Sequence, residues 1–262
     1  MHPSEADRSQ PDGPDAPRMR DVVTPARDEA AHELERAQGR SGELVVRARN
    51  GQLEVISNGS FLISTENEAS SRALVTAATP WLSEGPLRIL VGGLGLGFAL
   101  DEALRLRRAE TVTVAEFEPA IVSWFERHGG ERARRAAADS RARIVIADVW
   151  DVLQAASEAY DLVCLDTDNG PHWLVREANA ALYDDHGLAL TSSALKAGGV
   201  AVFWSPERYP RFEAALAVRF SLVRAVAAVD VVGGRALEYT MYVARKASCS
   251  SAGVRRAGDM PE

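Results

Sequence analysis

The stretch Leu87-Arg-Ile-Leu-Val-Gly-Gly-Leu-Gly-Leu-Gly-Phe-Ala-Leu100 is an apolar run that enters a glycine-rich turn and leaves it as a helix. Gly92 precedes Gly93, Gly95 and Gly97, which recur at every second position. Glycine accepts positive φ without steric cost, so such a turn can bend tightly and present bare main chain to a ligand. Plain strand-to-helix connections also use glycine, but the fingerprint logic of dinucleotide sites points to a nucleotide or nucleoside here.

Working outward from the turn, strands and helices alternate, which predicts a doubly wound, mostly parallel α/β sheet. Leu87–Val91 reads as the first strand and Phe98–Arg107 as its helix. Thr111–Ala115, Arg143–Ile146, Tyr160–Leu165 and Gly199–Trp204 read as the next strands, with a helix over Pro119–His128. The alternation ends in a hairpin, Leu222–Val232 and Leu237–Ala244 around Gly233-Gly234. A purely parallel dinucleotide-binding sheet does not usually close this way, which disfavours a nicotinamide-dependent oxidoreductase.

Upstream, Asn50-Gly51 and Asn58-Gly59 separate three alternating segments between residues 43 and 64. Asn-Gly pairs are strong hairpin signals because both turn residues accept positive φ, and they predict a small three-stranded meander. Residues 67–81 read as a linking helix with Ala69, Ala73, Leu74 and Ala77 inward. Residues 1–40 read as a leader, disordered at first and helically spaced over Pro25–Arg40 through Ala30 and Leu34. The expected units are thus residues 1–40, 41–82, 83–246 and a disordered tail, 247–262.

The 262 residues are 46% hydrophobic and 26% charged, enough for one substantial domain with smaller appendages, and the net charge is −7. That balance argues against nucleic acid as a partner. No apolar run approaches the roughly 20 residues that span a bilayer, and no signal-peptide layout is visible, so no membrane partner and a cytoplasmic location are expected. The two cysteines and five histidines show no metal-ligating spacing.

Ligands on such sheets lie at the carboxyl ends of the strands. Glu116 follows the second strand about 20 residues past the glycines, where a carboxylate can accept from both ribose hydroxyls. A helix N-terminal acid is its alternative reading, and Glu118 suits that role better. Asp148 and the Val149 amide follow the third strand and can read an adenine, or Asp148 can cap the next helix. Asp166-Thr-Asp168-Asn169-Gly170 follows the fourth strand. A carboxylate there can serve as general base toward an amine, or hold an ammonium; an Asx-type turn is the plain alternative. Trp204 and Glu207 are candidates for the acceptor wall, with His172 and Trp173 weaker ones.

The terminal hairpin resembles the closing device of the S-adenosylmethionine-dependent methyltransferase fold. More closely, residues 44–245 resemble the polyamine aminopropyltransferases, the spermidine synthases, in Asn58-Gly59, Gly92-Gly93-Leu94-Gly95, Glu116 with Glu118-Pro119, Asp148, Asp166-Thr167 and Leu195-Lys-Ala-Gly-Gly-Val200. The resemblance implies that Glu116 holds the ribose, Asp148 the adenine, and Asp166 deprotonates the attacking amine. It also implies a homodimer and a small-molecule acceptor. Three departures stand out. Gly95 occupies the place of an acid in the family's Gly-Gly-Gly-Asp-Gly turn. Asn169-Gly170 stands where the family has its second Asp, unless Asp168 serves instead. Asn67-Glu-Ala-Ser-Ser-Arg-Ala73 lacks the Tyr, His and Glu of the corresponding stretch. Each lost carboxylate partner for a diamine costs about 2–5 kcal/mol of affinity. The sequence expectation is therefore a spermidine-synthase-like transferase that binds S-adenosylmethionine or its decarboxylated form and alkylates a small amine or hydroxyl, methyl transfer being favoured. Aminopropyl transfer and a non-catalytic nucleoside-binding scaffold are the alternatives. Asp166 and Asp168 are the expected catalytic residues, Asn169 and Trp204 the acceptor contacts.

Overall fold

The computed structural model describes residues 30–167 and 179–248. Two sheets organise them. An antiparallel four-stranded sheet runs in chain order, β1 (His32–Gly39), β2 (Gly42–Arg49), β3 (Gln52–Ser57) and β4 (Ser60–Ser64). A seven-stranded sheet follows, built from β5 (Leu87–Gly92), β6 (Ala109–Glu116), β7 (Ala142–Ile146), β8 (Tyr160–Leu165), β9 (Leu195–Ser205), β10 (Leu222–Val232) and β11 (Arg235–Arg245). Its order is β10-β11-β9-β8-β5-β6-β7, parallel from β9 to β7, with the β10–β11 hairpin added antiparallel.

The central strands are apolar on both sides, as a parallel sheet covered on two faces requires. Side chains alternate between the faces along each strand. Ile89, Val91, Val112, Val114, Leu162 and Val202 point into one core, where α1 (Glu68–Thr76), α2 (Phe98–Arg105), α3 (Pro119–His128) and α4 (Gly130–Ala138) supply Leu74, Phe98, Phe125 and Ala133. Leu90, Val163, Leu165, Ala201 and Phe203 point into the other. That face is covered by α5 (Val149–Gln154), α6 (Ala180–Tyr183), α7 (Asp185–Ala194) and α8 (Pro210–Arg219).

Three local expectations change. The span read as helical leader contains β1, and the meander has four strands; residues 1–29 and 249–262 lie outside the described residues. Leu34 and Ala37 are too few apolar residues to separate the two periods, and pairing with β2 plus packing on the first core favours the strand. Helix α1 ends at Thr76, and its buried positions are Ser70, Ser71, Leu74 and Val75, with Ala69 exposed. The segment Leu195–Val200 lies within β9. The Asn-Gly turns form as expected, with φ of 50° and 75° at Asn50-Gly51 and 49° and 76° at Asn58-Gly59.

No helix among the described residues is long and apolar enough to cross a membrane.

Candidate functional site

Strand β5 lies between β8 and β6, so the chain crosses over in opposite directions from it and leaves a crevice at the carboxyl ends of the three strands. The glycine turn forms the floor of that crevice. Gly93 has φ +94°, donates from its amide to the Ala115 carbonyl (2.9 Å), and a Cβ there would lie 2.3 Å from the Asp166 carbonyl oxygen. The absence of a side chain thus lets the end of β8 seat against the turn. Gly95, φ +50°, faces the cleft, and the nearest atom to its missing Cβ is Ile63 Cδ1 at 3.2 Å.

Gly92 and Gly97, grouped with these two on sequence grounds, do not line the cleft. A Cβ on Gly92 would meet Val149 at 2.8 Å, and one on Gly97, φ +82°, would meet the Phe125 ring at 2.1 Å. At both positions the protein's own packing already requires glycine.

Three carboxylates from the strand ends meet in the cleft, Glu116 as the last residue of β6, Asp148 after β7 and Asp166 after β8. Glu116 is 7% exposed, and its two oxygens accept from the Leu94 and Glu118 amides, both at 2.8 Å. Burial pushes its carboxyl up, against the opposing pull of those amides. Asp148 accepts from the Trp150 amide at 3.0 Å and so caps α5, with Val149 beside it in the wall. Asp166 donates its own amide to the Gly92 carbonyl (2.9 Å). Its carboxyl is pushed up to about 7, first by burial and then by the negative Glu116 nearby. A carboxyl poised there is suited to taking a proton near neutral pH.

Trp204 also lines the cleft, at the end of β9, with its ring 5.1 Å from that of Tyr239 on β11. Glu207 does not; it accepts the Tyr209 hydroxyl at 2.6 Å instead. Asp168, Asn169, His172 and Trp173 lie outside the described residues.

Sequence reading missed the rest of the wall. Asn67 and Ser70 come from the start of α1, Tyr239 from β11, and Ile63 from β4. Asn67 donates to the Tyr239 hydroxyl at 3.3 Å. Behind this group Asp230, 2% exposed, accepts from the Ala69 and Ser70 amides through one oxygen, while its other oxygen has no hydrogen-bond partner among the described residues. Burial and the Asp230 charge push the Tyr239 phenol up to about 12. Thr167 Oγ1, in the cleft wall, is likewise buried without a hydrogen-bond partner among the described residues. No local motif announces these positions, because elements far apart in the chain supply them.

The pattern of the spermine/spermidine synthase domain matches residues 73–217, more than half of the chain. The chain belongs to the spermine/spermidine synthase family. Among the relatives of this family, polyamine aminopropyltransferase 2 of Ralstonia nicotianae is 32% identical over 126 residues, 47% of this chain and 24% of that protein. The polyamine aminopropyltransferase of Aeropyrum pernix is 28% identical over 171 residues, 63% of this chain and 53% of its own length. The matched region thus spans between a quarter and about half of these relatives.

A crystal structure of a spermidine synthase in complex with the transition state analogue AdoDATO superposes with a TM-score of 0.70 at 16% identity, over 82% of this chain and 74% of that one. The spermidine synthase of Thermotoga maritima gives 0.65 at 15%, over 82% and 72%. These likenesses show the spermidine-synthase fold, including the separate N-terminal sheet. The curated relatives carry the name polyamine aminopropyltransferase, not methyltransferase.

Proposed function

We propose that this chain transfers an aminopropyl group from decarboxylated S-adenosylmethionine to the nitrogen of an amine. The observation that carries this reading is Asp166, a carboxyl pushed up to about 7 at the end of β8, seated across Gly93 from Glu116. The cleft suits a nucleoside. Glu116 lies in the cleft wall, held by backbone amides, where its carboxylate would accept from a ribose diol. Asp148 and Val149 line the same cleft and would read the adenine edge, and the Thr167 hydroxyl has no hydrogen-bond partner among the described residues.

When bound, the donor would supply a sulfonium-activated carbon. The C–S bond breaks toward sulfur as the C–N bond forms, and the proton lost by the nitrogen passes to the Asp166 carboxylate. Holding the two reactants in line accounts for most of the rate, and proton removal adds about 10²–10⁴-fold. The Trp204 and Tyr239 rings, with the Asp230 charge behind them, give the acceptor end a negative character suited to an ammonium.

The test is a product assay with decarboxylated S-adenosylmethionine and putrescine, reading release of methylthioadenosine and the alkylated amine. Turnover that is lost in Asp166→Asn supports the reading. Methyl transfer from intact S-adenosylmethionine with no aminopropyl product would replace it, and nucleoside binding without any product would leave a scaffold.

A further inference from the structure

Glu118 opens α3, yet it makes no side-chain bond to the amides of its own helix. Its carboxylate reaches across to the turn between β1 and β2 instead, where Oε2 accepts from the Arg40 amide and Oε1 from the Ser41 amide, both at 2.7 Å. The side chain is 8% exposed, and Gly39 is needed for the fit, since a Cβ there would sit 2.5 Å from Oε2. Arg40 completes the junction, with its guanidinium 5.2 Å from the Phe117 ring centre and donating to the Phe117 carbonyl at 3.1 Å. Ser41, Phe117 and Glu118 line the same cleft as Glu116, and the Glu118 amide donates to the Glu116 carboxylate.

We propose that Glu118 is a positioning residue that clamps the β1–β2 turn against the nucleoside end of the cleft and ties that closure to the seating of Glu116. This rests on the nucleoside reading of the cleft. A carboxylate that served only the helix dipole would not need two amides from a remote sheet. Removing the side chain strands two amides and frees the turn that forms one wall, beside the residue whose backbone amide holds Glu116. The effect falls on donor binding, because Asp166 stands on a different strand, after β8.

The test titrates the full chain with 5′-methylthioadenosine and follows amide hydrogen exchange at residues 39–42. Glu118→Ala is expected to accelerate exchange at Arg40 and Ser41, to weaken the nucleoside about 10-fold or more, and to raise donor KM with kcat changing less than about 3-fold. Glu118→Gln keeps one accepting oxygen and recovers part of the loss. Gly39→Ala pushes the turn away from the other side and weakens the nucleoside in the same direction, so the proposal stays testable if Glu118→Ala fails to fold. Accelerated exchange with wild-type nucleoside affinity in these variants would overturn the clamp. A wild-type chain that binds no nucleoside would instead overturn the reading on which the clamp rests.

Discussion

The two sheets are held in different ways. The central strands of the seven-stranded sheet are buried on both faces, with Ile89, Leu90, Val91, Val163 and Val202 fully out of solvent, so their register is inseparable from the core. The four-stranded sheet shares part of that core through Leu44, Val46 and Val55, but it is tied to α3 by directed polar contacts. Glu118 takes the β1–β2 turn, and Glu35 on β1 accepts from Trp124, Arg127 and His128. The larger sheet therefore presents the acids of the site in a fixed row, and the smaller one sets how the cleft is walled. On this view, substitutions in the first region act on chemistry or global stability, and those at the junction act on binding.

The sharpest contrast is expected at Asp166. Asp166→Asn should lower turnover by about 10²–10⁴-fold in a steady-state assay while leaving methylthioadenosine binding near wild type. The same residue predicts a pH dependence. Its carboxyl rises from an ordinary 3.8 to about 7, so kcat/KM should climb with pH to a plateau above 7, and the Asn variant should lose that limb. A raised acid favours folding in its protonated form, so its contribution to stability is greatest below about pH 4 and fades as pH rises through about 7.

Next in size is Gly97→Ala, which combines φ +82° with a Cβ 2.1 Å from the Phe125 ring. It should cost at least about 2 kcal/mol in denaturant unfolding. Gly51→Ala, at φ +75° with nothing near its Cβ, should cost only about 1 kcal/mol. Equal losses would mean that the turn after β5 is not dictated by packing on α3. Glu116→Gln should weaken the nucleoside about 10-fold by calorimetry, since a charged acceptor of two amides becomes neutral. The smallest effect belongs to Glu35→Gln, which should lower the melting temperature less than Gly97→Ala and leave kcat alone. A loss of turnover there would erase the distinction between the two sheets.

What the sequence made legible was whatever local chemistry determines. Asn50-Gly51 and Asn58-Gly59 can hardly do anything but turn, and an acid that ends an apolar strand, as Glu116 and Asp166 do, needs a reason to be there. Strand β1 was hidden because Leu34 and Ala37 satisfy a helix about as well as a strand, and only pairing with β2 decides. Ser70, Tyr239 and Asp230 were hidden because the hairpin and α1 meet only in the folded chain. The partners of Glu118 are backbone amides 77 and 78 residues away, and backbone amides leave no mark in a sequence. The glycine turn forms where the sequence puts it, but its glycines have a cause the sequence did not show, since Gly92, Gly93 and Gly97 each make room for the protein's own packing.

The most direct test of the central claim is calorimetric titration of the wild-type chain with decarboxylated S-adenosylmethionine and, separately, with the intact form. The account predicts saturable binding that favours the decarboxylated donor and weakens in Glu116→Gln. Preference for the intact form, or no binding of either, would contradict it.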